Sequence, residues 1–398
     1  MNDSQAQTQT QQSKLLQEIQ AFFGEERIDE RLIDAFLATP RHKFAHRFEG
    51  SSDGHWIELS EENLSDHLVQ LYQDSPLCIY RNKIGEVVST ISQPSLVLYM
   101  IQLLELQAGM TVFELGGGSG WHAALMARLV GPNGKVHSAE IIKDLVENAR
   151  ITKQKLGINN LELINGDATK GLQDKGPFDR GVFTASAREL PPAFFEQIKE
   201  GGLLQFVLKL PTGSDMLCLL RKKENRFESE YLMPCSFVPV TGGHPQEATP
   251  VTLIESLPLW PKWQNEEPHF TPFADMGISS DDLPALIEFC QVVCTNFIPF
   301  DSQENDSLRS NEFLFGINAS DKESLTLITD DQFLTYGPLN SLEDFLTLVK
   351  DWLTSNKPEV DELTLEIYPK HQLPFIGQGA WLIKGSQCFY RWTLPSIA

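Results

Sequence analysis

The sequence predicts an α/β fold, a doubly wound parallel sheet with a smaller α+β region after it. Three observations carry that expectation. Between residues 94 and 222, apolar strand-like runs alternate with helical stretches, the pattern of a parallel sheet covered on both faces. The first of these runs, TVFEL, leads into GGGSG at 116–120, so a glycine-rich turn joins a strand to a helix. Glu114, Glu140 and Asp167 stand at the ends of three successive strand-like runs, where doubly wound folds bind their ligands.

The elements follow in order. MNDSQAQTQTQQS, rich in Gln, Thr and Ser, reads as a disordered tail over 1–13. KLLQEIQAFF and ERLIDAFLAT have helical spacing, and Pro40 closes the second. An irregular stretch runs to about residue 92. SLVLYMIQLLEL is a helix, TVFEL a strand and WHAALMARLV a helix closed by GPNG. KVHSAEI is a strand, and KDLVENARITKQKLG a helix that Gly157 stops. LELINGD and DRGVFTA are strands, PPAFFEQIKEGG a helix, and LLQFVLKL a strand. MLCLLRK and RFESEYLMPCSFVPV have no helix between them and end the sheet as an antiparallel hairpin.

The expected catalytic domain spans 14–243, with a linker over 244–262. Beyond it, 263–398 is expected to form a separate α+β domain of unknown role, with helices in DDLPALIEFCQVVCTNF and SLEDFLTLVKDWLTSN. FLFGIN, SLTLIT, ELTLEIY, AWLIKG and CFYRWTL are its strands, and SQENDSLRSNE is a polar loop.

A net charge of −22 argues against a nucleic-acid partner, because phosphate binding needs local positive potential. From His244 onward 23 acidic residues face 8 basic ones, so most of the excess lies in the last third. No run of 18 apolar residues exists, which argues against a membrane span. The N-terminal stretch lacks the basic and apolar regions of a secretory signal, so a cytoplasmic location is expected. The six cysteines have no CxxC pair and no histidines at zinc spacing, so reduced thiols and no metal site are expected.

The glycine turn brings backbone N–H groups and a helix N-terminus close to a ligand. It lacks the GK[ST] of a phosphate-gripping loop. Glu140, 20 residues past Gly120, is placed to bind ribose hydroxyls. Glu114, inside the turn, would repel a pyrophosphate and suits a cationic ligand such as S-adenosylmethionine. Asp167 in INGDATKG could accept a hydrogen bond from an adenine amino group. Together the three carboxylates fit S-adenosylmethionine better than NAD. His122 reads as a surface or packing histidine, and Arg188 as either solvated or in contact with a carboxylate. Ser92, before Pro94, reads by position as a helix N-cap.

From about Leu32 to Gly243 the chain resembles the protein-L-isoaspartate O-methyltransferases. The resemblance rests on TPRHKF (39–44), YQDSPL (72–77), STISQPSLV (89–97), VFELGGGSGWHAAL (112–125) and KVHSAEI (135–141). It continues through LINGDATKG (163–171), FDRGVFTASARELP (178–191), EQIKEGG (196–202) and SFVPVTGG (236–243). It implies a Rossmann-like sheet that binds S-adenosylmethionine through Glu114, Gly116, Gly118, Gly120, Glu140, Asp167 and Ala168, with S-adenosylhomocysteine as product. It also implies that Ser92, Pro94 and Val240 meet an isoaspartyl protein or peptide, Ser92 standing beside the methyl and the substrate carboxylate.

Two departures stand out. The family's loop usually reads GTGSGY, whereas here residue 117 is glycine and residue 121 tryptophan. The run CIYRNKIGEVV (78–88) is lengthened on the substrate side. The C-terminal extension leaves open a dedicated protein or modified-peptide substrate, an unknown partner, or a non-catalytic scaffold.

Overall fold

The computed structural model describes residues 3–51, 54–241, 251–302, 314–318 and 323–394. The chain begins with α1 (Asp3–Phe23) and α2 (Glu30–Leu37), then the paired strands β1 (Arg47–Glu49) and β2 (Trp56–Glu58). Next come α3 (Leu64–Leu71) and a second hairpin, β3 (Leu77–Arg81) with β4 (Val87–Ile91). The alternating part runs α4 (Pro94–Leu103), β5 (Thr111–Leu115), α5 (Trp121–Val130), β6 (Lys135–Glu140), α6 (Lys143–Lys155) and β7 (Leu161–Asn165). It ends with β8 (Phe178–Phe183), α7 (Phe194–Gln197), β9 (Ile198–Lys209), β10 (Asp215–Lys223) and β11 (Arg226–Cys235).

The C-terminal part contains β12 (Thr252–Leu253), α8 (Trp260–Trp263), β13 (His269–Pro272), α9 (Leu283–Val293), β14 (Phe297–Asp301) and β15 (Leu314–Asn318). Then follow β16 (Leu325–Ile328), β17 (Gln332–Tyr336), α10 (Asn340–Thr354), β18 (Thr364–Pro369), β19 (Ala380–Lys384) and β20 (Cys388–Thr393).

The main sheet has ten strands in the order β19-β20-β18-β11-β10-β9-β8-β5-β6-β7. β5 through β9 pair in parallel, and β10 with β11 forms the expected closing hairpin. Chain order reverses between β5 and β8, which opens a crevice at the strands' C-terminal ends. Side chains alternate across the sheet. Val112, Val182, Val207 and Leu217 join one buried cluster with α1 to α6, while Phe113, Phe183, Phe206 and Cys218 join another.

That second cluster corrects the expected domain division. It also holds Phe289 of α9, Trp352 of α10 and Leu365, Ile367 and Trp392 of β18 and β20. β18 pairs with β11, and Glu366 takes ion pairs from Arg226 and Arg391. The reason lies in α7. Over the expected helix 191–202 the chain forms only the four residues Phe194–Gln197 before β9 begins, too little to cover the second sheet face. The C-terminal elements supply that cover.

Two further expectations change. The segment from Asp3 to Ser13, expected as a disordered tail, is the first half of α1. Its Gln12 amide donates to the carbonyls of Phe36 and Leu37, satisfying the open end of α2. Residues 242–250 of the expected linker lie outside the described residues, as does most of the polar loop at 302–312. From Thr252 the chain is structured: β12 joins β14 in a six-stranded sheet, with Ile254, Trp260 and Trp263 buried beneath it. The six cysteines are free thiols, and no metal-binding cluster exists among the described residues. No helix among the described residues is long and apolar enough to cross a membrane.

Candidate active site

A cleft of about 670 Å³ lies at the C-terminal edge of β5 and β6. Ser92, Glu114, Gly116, Gly118, Glu140, Asp167, Ala168 and Val240 all line it. Pro94 and Gly120 do not. Pro94 is the buried first residue of α4, and Gly120 (φ 80°) faces α6, where a Cβ would meet that of Ala149 at 2.9 Å.

Beyond β5 the loop turns sharply, with φ 94° at Gly116 and 50° at Gly118, a region that side chains rarely enter. Its amides reach across to β6. Gly116 and Gly117 N–H donate to the Ala139 carbonyl, and Gly118 N–H donates to Glu140 Oε2 at 2.8 Å. Ile142 N–H donates to Glu140 Oε1, also at 2.8 Å. Two backbone donors therefore aim this carboxylate, and each oxygen keeps a lone pair for a diol. Burial raises the Glu140 pKa, while the backbone N–H groups pull it back.

Glu114 is fully buried. Its Oε1 lies 2.6 Å from His122 Nδ1, and its Oε2 accepts from Ser138 Oγ at 2.5 Å. The expectation for His122 is corrected: it is a buried partner of the loop carboxylate and lines the cleft. Its Nε2 has no partner among the described residues. Sequence reasoning missed this pair and Ser138; the available signal was the position of His122 in the first turn after the loop, which turns back toward the strand end. At the next strand end, Asp167 Oδ1 accepts from the Thr169 amide and hydroxyl. Arg188 is half-buried, and burial lowers its pKa; it does not line the cleft.

Ser92 is half-buried between β4 and α4. It is not the helix cap. Gln93 holds that position without a side-chain bond, and Asp74 does the work from another segment: Oδ1 accepts the Ser95 amide and Oδ2 the Gln93 side chain. On the substrate side the lengthened run forms the β3–β4 hairpin, whose Val87 and Val88 line the cleft.

A glycine-turned loop, a pre-aimed carboxylate and a buried imidazole nitrogen without a partner among the described residues fit S-adenosylmethionine. Fold and site define a Rossmann-like, S-adenosylmethionine-dependent methyltransferase. Comparison with known proteins narrows the class. The family model for protein-L-isoaspartate(D-aspartate) O-methyltransferase matches residues 58–245. A protein-L-isoaspartate O-methyltransferase of Methanococcus maripaludis is 38% identical over 213 residues, covering 53% of this chain and 87% of that protein. One from Ignicoccus hospitalis is 38% identical over 169 residues, 42% of this chain and 77% of that protein. A solved protein-L-isoaspartate O-methyltransferase structure superposes with a TM-score of 0.52 and 23% identity, over 89% of this chain and 96% of the other. That last likeness concerns the fold, and it extends into the C-terminal part. The chain belongs to the protein-L-isoaspartate O-methyltransferase family.

Proposed function

We propose that the chain methylates the α-carboxylate of L-isoaspartyl residues in proteins or peptides, the first step of repair through a methyl ester and a succinimide. The observation that carries this reading is the single cleft in which Ser92 faces the same space as Glu140, Asp167 and the glycine loop. When bound, S-adenosylmethionine supplies an electrophilic methyl group, and S-adenosylhomocysteine is the product.

The substrate carboxylate is ionised at neutral pH, so no general base is required. One carboxylate oxygen forms the new bond to carbon as the sulfur–methyl bond breaks, and no proton moves. What remains for the protein is to bind, align and exclude water. Glu140, aimed by the Gly118 and Ile142 amides, holds the ribose end, and Asp167 with Ala168 the adenine end. The Ser92 hydroxyl donates a hydrogen bond that orients the carboxylate, with Val240 closing the opposite wall. Val87 and Val88 place the lengthened hairpin beside the incoming chain, so it shapes substrate access.

The deciding experiment is transfer of labelled methyl from S-adenosylmethionine to an isoaspartyl peptide beside its normal-aspartate twin. Base-labile label on the isoaspartyl peptide alone is expected. Equal labelling of both peptides, or base-stable label, would overturn the reading.

A further inference from the structure

Arg41 belongs to the TPRHKF run, which the chemistry above leaves unused. It is 1% exposed, and among the described residues it donates to no carboxylate: backbone carbonyls take the donors of Nη1 and Nη2, while Nε has no partner there. Nη1 donates to the carbonyls of Leu71 (3.0 Å) and Gln73 (3.1 Å). Nη2 donates to those of Ser75 (2.8 Å), Ile91 (3.0 Å) and Ser92 (3.2 Å). The guanidinium carbon also sits 5.7 Å from the ring centroid of Trp121, the residue that opens α5 behind the glycine loop.

One planar group thus joins three segments: the turn at 71–75, the Ile91–Ser92 step and the helix start at Trp121. Trp121 is itself tied to the same region, since its indole N–H donates to the carbonyl of Thr39 at 2.9 Å. Asp74 completes the frame by holding Gln93 and Ser95 on the other side of Ser92. Burial pulls the Arg41 pKa down to about 10, and Asp74 raises it, so the group stays charged at neutral pH. Burying a cation is costly, and an apolar side chain of similar volume would commonly serve stability as well. What an apolar chain lacks is a rigid fork that gathers carbonyls from separate segments.

We propose that Arg41 is a positioning residue for methyl transfer: it holds the Ser92 backbone in register with the glycine loop, so that the serine hydroxyl meets the substrate carboxylate. The inference rests on the role given to Ser92 above. Trp121 in place of the family's usual tyrosine belongs to the same frame, as the aromatic face on which the guanidinium rests.

The test is a double-mutant cycle of Arg41→Lys and Ser92→Ala, read by kcat and KM on an isoaspartyl peptide and by calorimetric Kd for S-adenosylhomocysteine. Lysine keeps the charge and loses the fork. Expected for Arg41→Lys is a kcat lowered on the order of 10- to 100-fold with cofactor Kd changed less than about twofold. In the Ser92→Ala background the same change is expected to have little further effect. Independent, multiplying losses would overturn the proposal, as would an unchanged kcat in Arg41→Lys. If Ser92→Ala alone leaves kcat intact, the role of Ser92 fails first, and the proposal with it. Should Arg41→Lys not fold, Asp74→Asn loosens the same frame from its partly exposed side. The same loss of kcat at constant cofactor affinity is expected there, and an equal loss in both would overturn the proposal.

Discussion

The hydroxyl of Ser138 occupies the space that a side chain on residue 117 would need: a Cβ there would stand 2.2 Å from Ser138 Oγ and 3.3 Å from Glu114 Oε2. The family's usual second loop residue is threonine, so glycine here accompanies the serine that donates to Glu114. The relationship makes a paired prediction. Gly117→Ala should push Ser138 and the loop aside and weaken S-adenosylhomocysteine binding by on the order of 1–3 kcal/mol, through overpacking against the Ser138 hydroxyl. Gly117→Ala with Ser138→Ala should bind more tightly than Gly117→Ala alone. Calorimetry that gives simple addition of the two losses would show that the sites are not coupled.

Asp167 and Glu140 are expected to serve the ligand in different ways. Asp167→Ala should weaken cofactor binding by on the order of 1–3 kcal/mol, with a smaller cost to folding stability from the Thr169 donors it leaves, because the residue itself is exposed. Glu140→Ala should harm both, since it also leaves the Gly118 and Ile142 amides without their partner. Calorimetric titration beside a urea unfolding curve separates the two patterns. An unchanged dissociation constant for Asp167→Ala would remove it from the cofactor site.

His42 predicts an acid limb in stability. Its Nδ1 lies 2.7 Å from the buried Tyr72 hydroxyl, and burial, with the Lys43 charge, lowers its pKa to about 4. An unfolded histidine titrates near 6.5. Between those values the unfolded chain binds a proton that the native chain does not, so stability is present above about pH 6.5 and is lost as pH falls toward 4. The loss should be on the order of 2 kcal/mol, with His46 and His137, also lowered by burial, acting in the same direction. His42→Asn should flatten the unfolding free energy between pH 4 and 6.5. A slope unchanged by the substitution would assign the limb to other groups.

The C-terminal part should not be removable. A chain ended at Gly243 loses β18, which pairs with β11, and loses the buried Phe289, Trp352 and Trp392 from the core beneath the sheet. It should be insoluble or aggregate on expression, whereas a catalytic domain bounded at 243 would melt cooperatively as a monomer. Sedimentation and thermal unfolding of the shortened chain distinguish the two.

The alternation of strands and helices from Pro94 to Lys223 was legible because each run carries its own period and its own stop signal, as Gly157 does after α6. The site carboxylates were legible for the same reason, each standing at the end of a recognisable strand. What escaped is pairing between distant segments. ELTLEIY reads as a strand, but nothing local says that its neighbour is β11 and not the strands closest to it in sequence. Likewise the Gln-rich start of α1 is polar by composition, and nothing local says that Gln12 finds a partner at the open end of α2. His122 and Arg41 resisted reading because their partners, Glu114 and a set of carbonyls, are brought to them by the fold. TPRHKF carried the resemblance, but its arginine has no carboxylate in the sequence that would announce a role.

The placement of β18 beside β11 also fixes an order of events in folding. Arg226 and Glu366, which pair across these strands, lie 140 residues apart. Closing so long a loop is slow relative to forming the local β5–α5–β6 unit, so the parallel half can assemble while the outer side of β11 still has no neighbour. During that interval the exposed strand offers its unpaired amides and carbonyls to any other chain in the same state. The yield of native enzyme on refolding should therefore depend on protein concentration far more steeply than its final stability suggests.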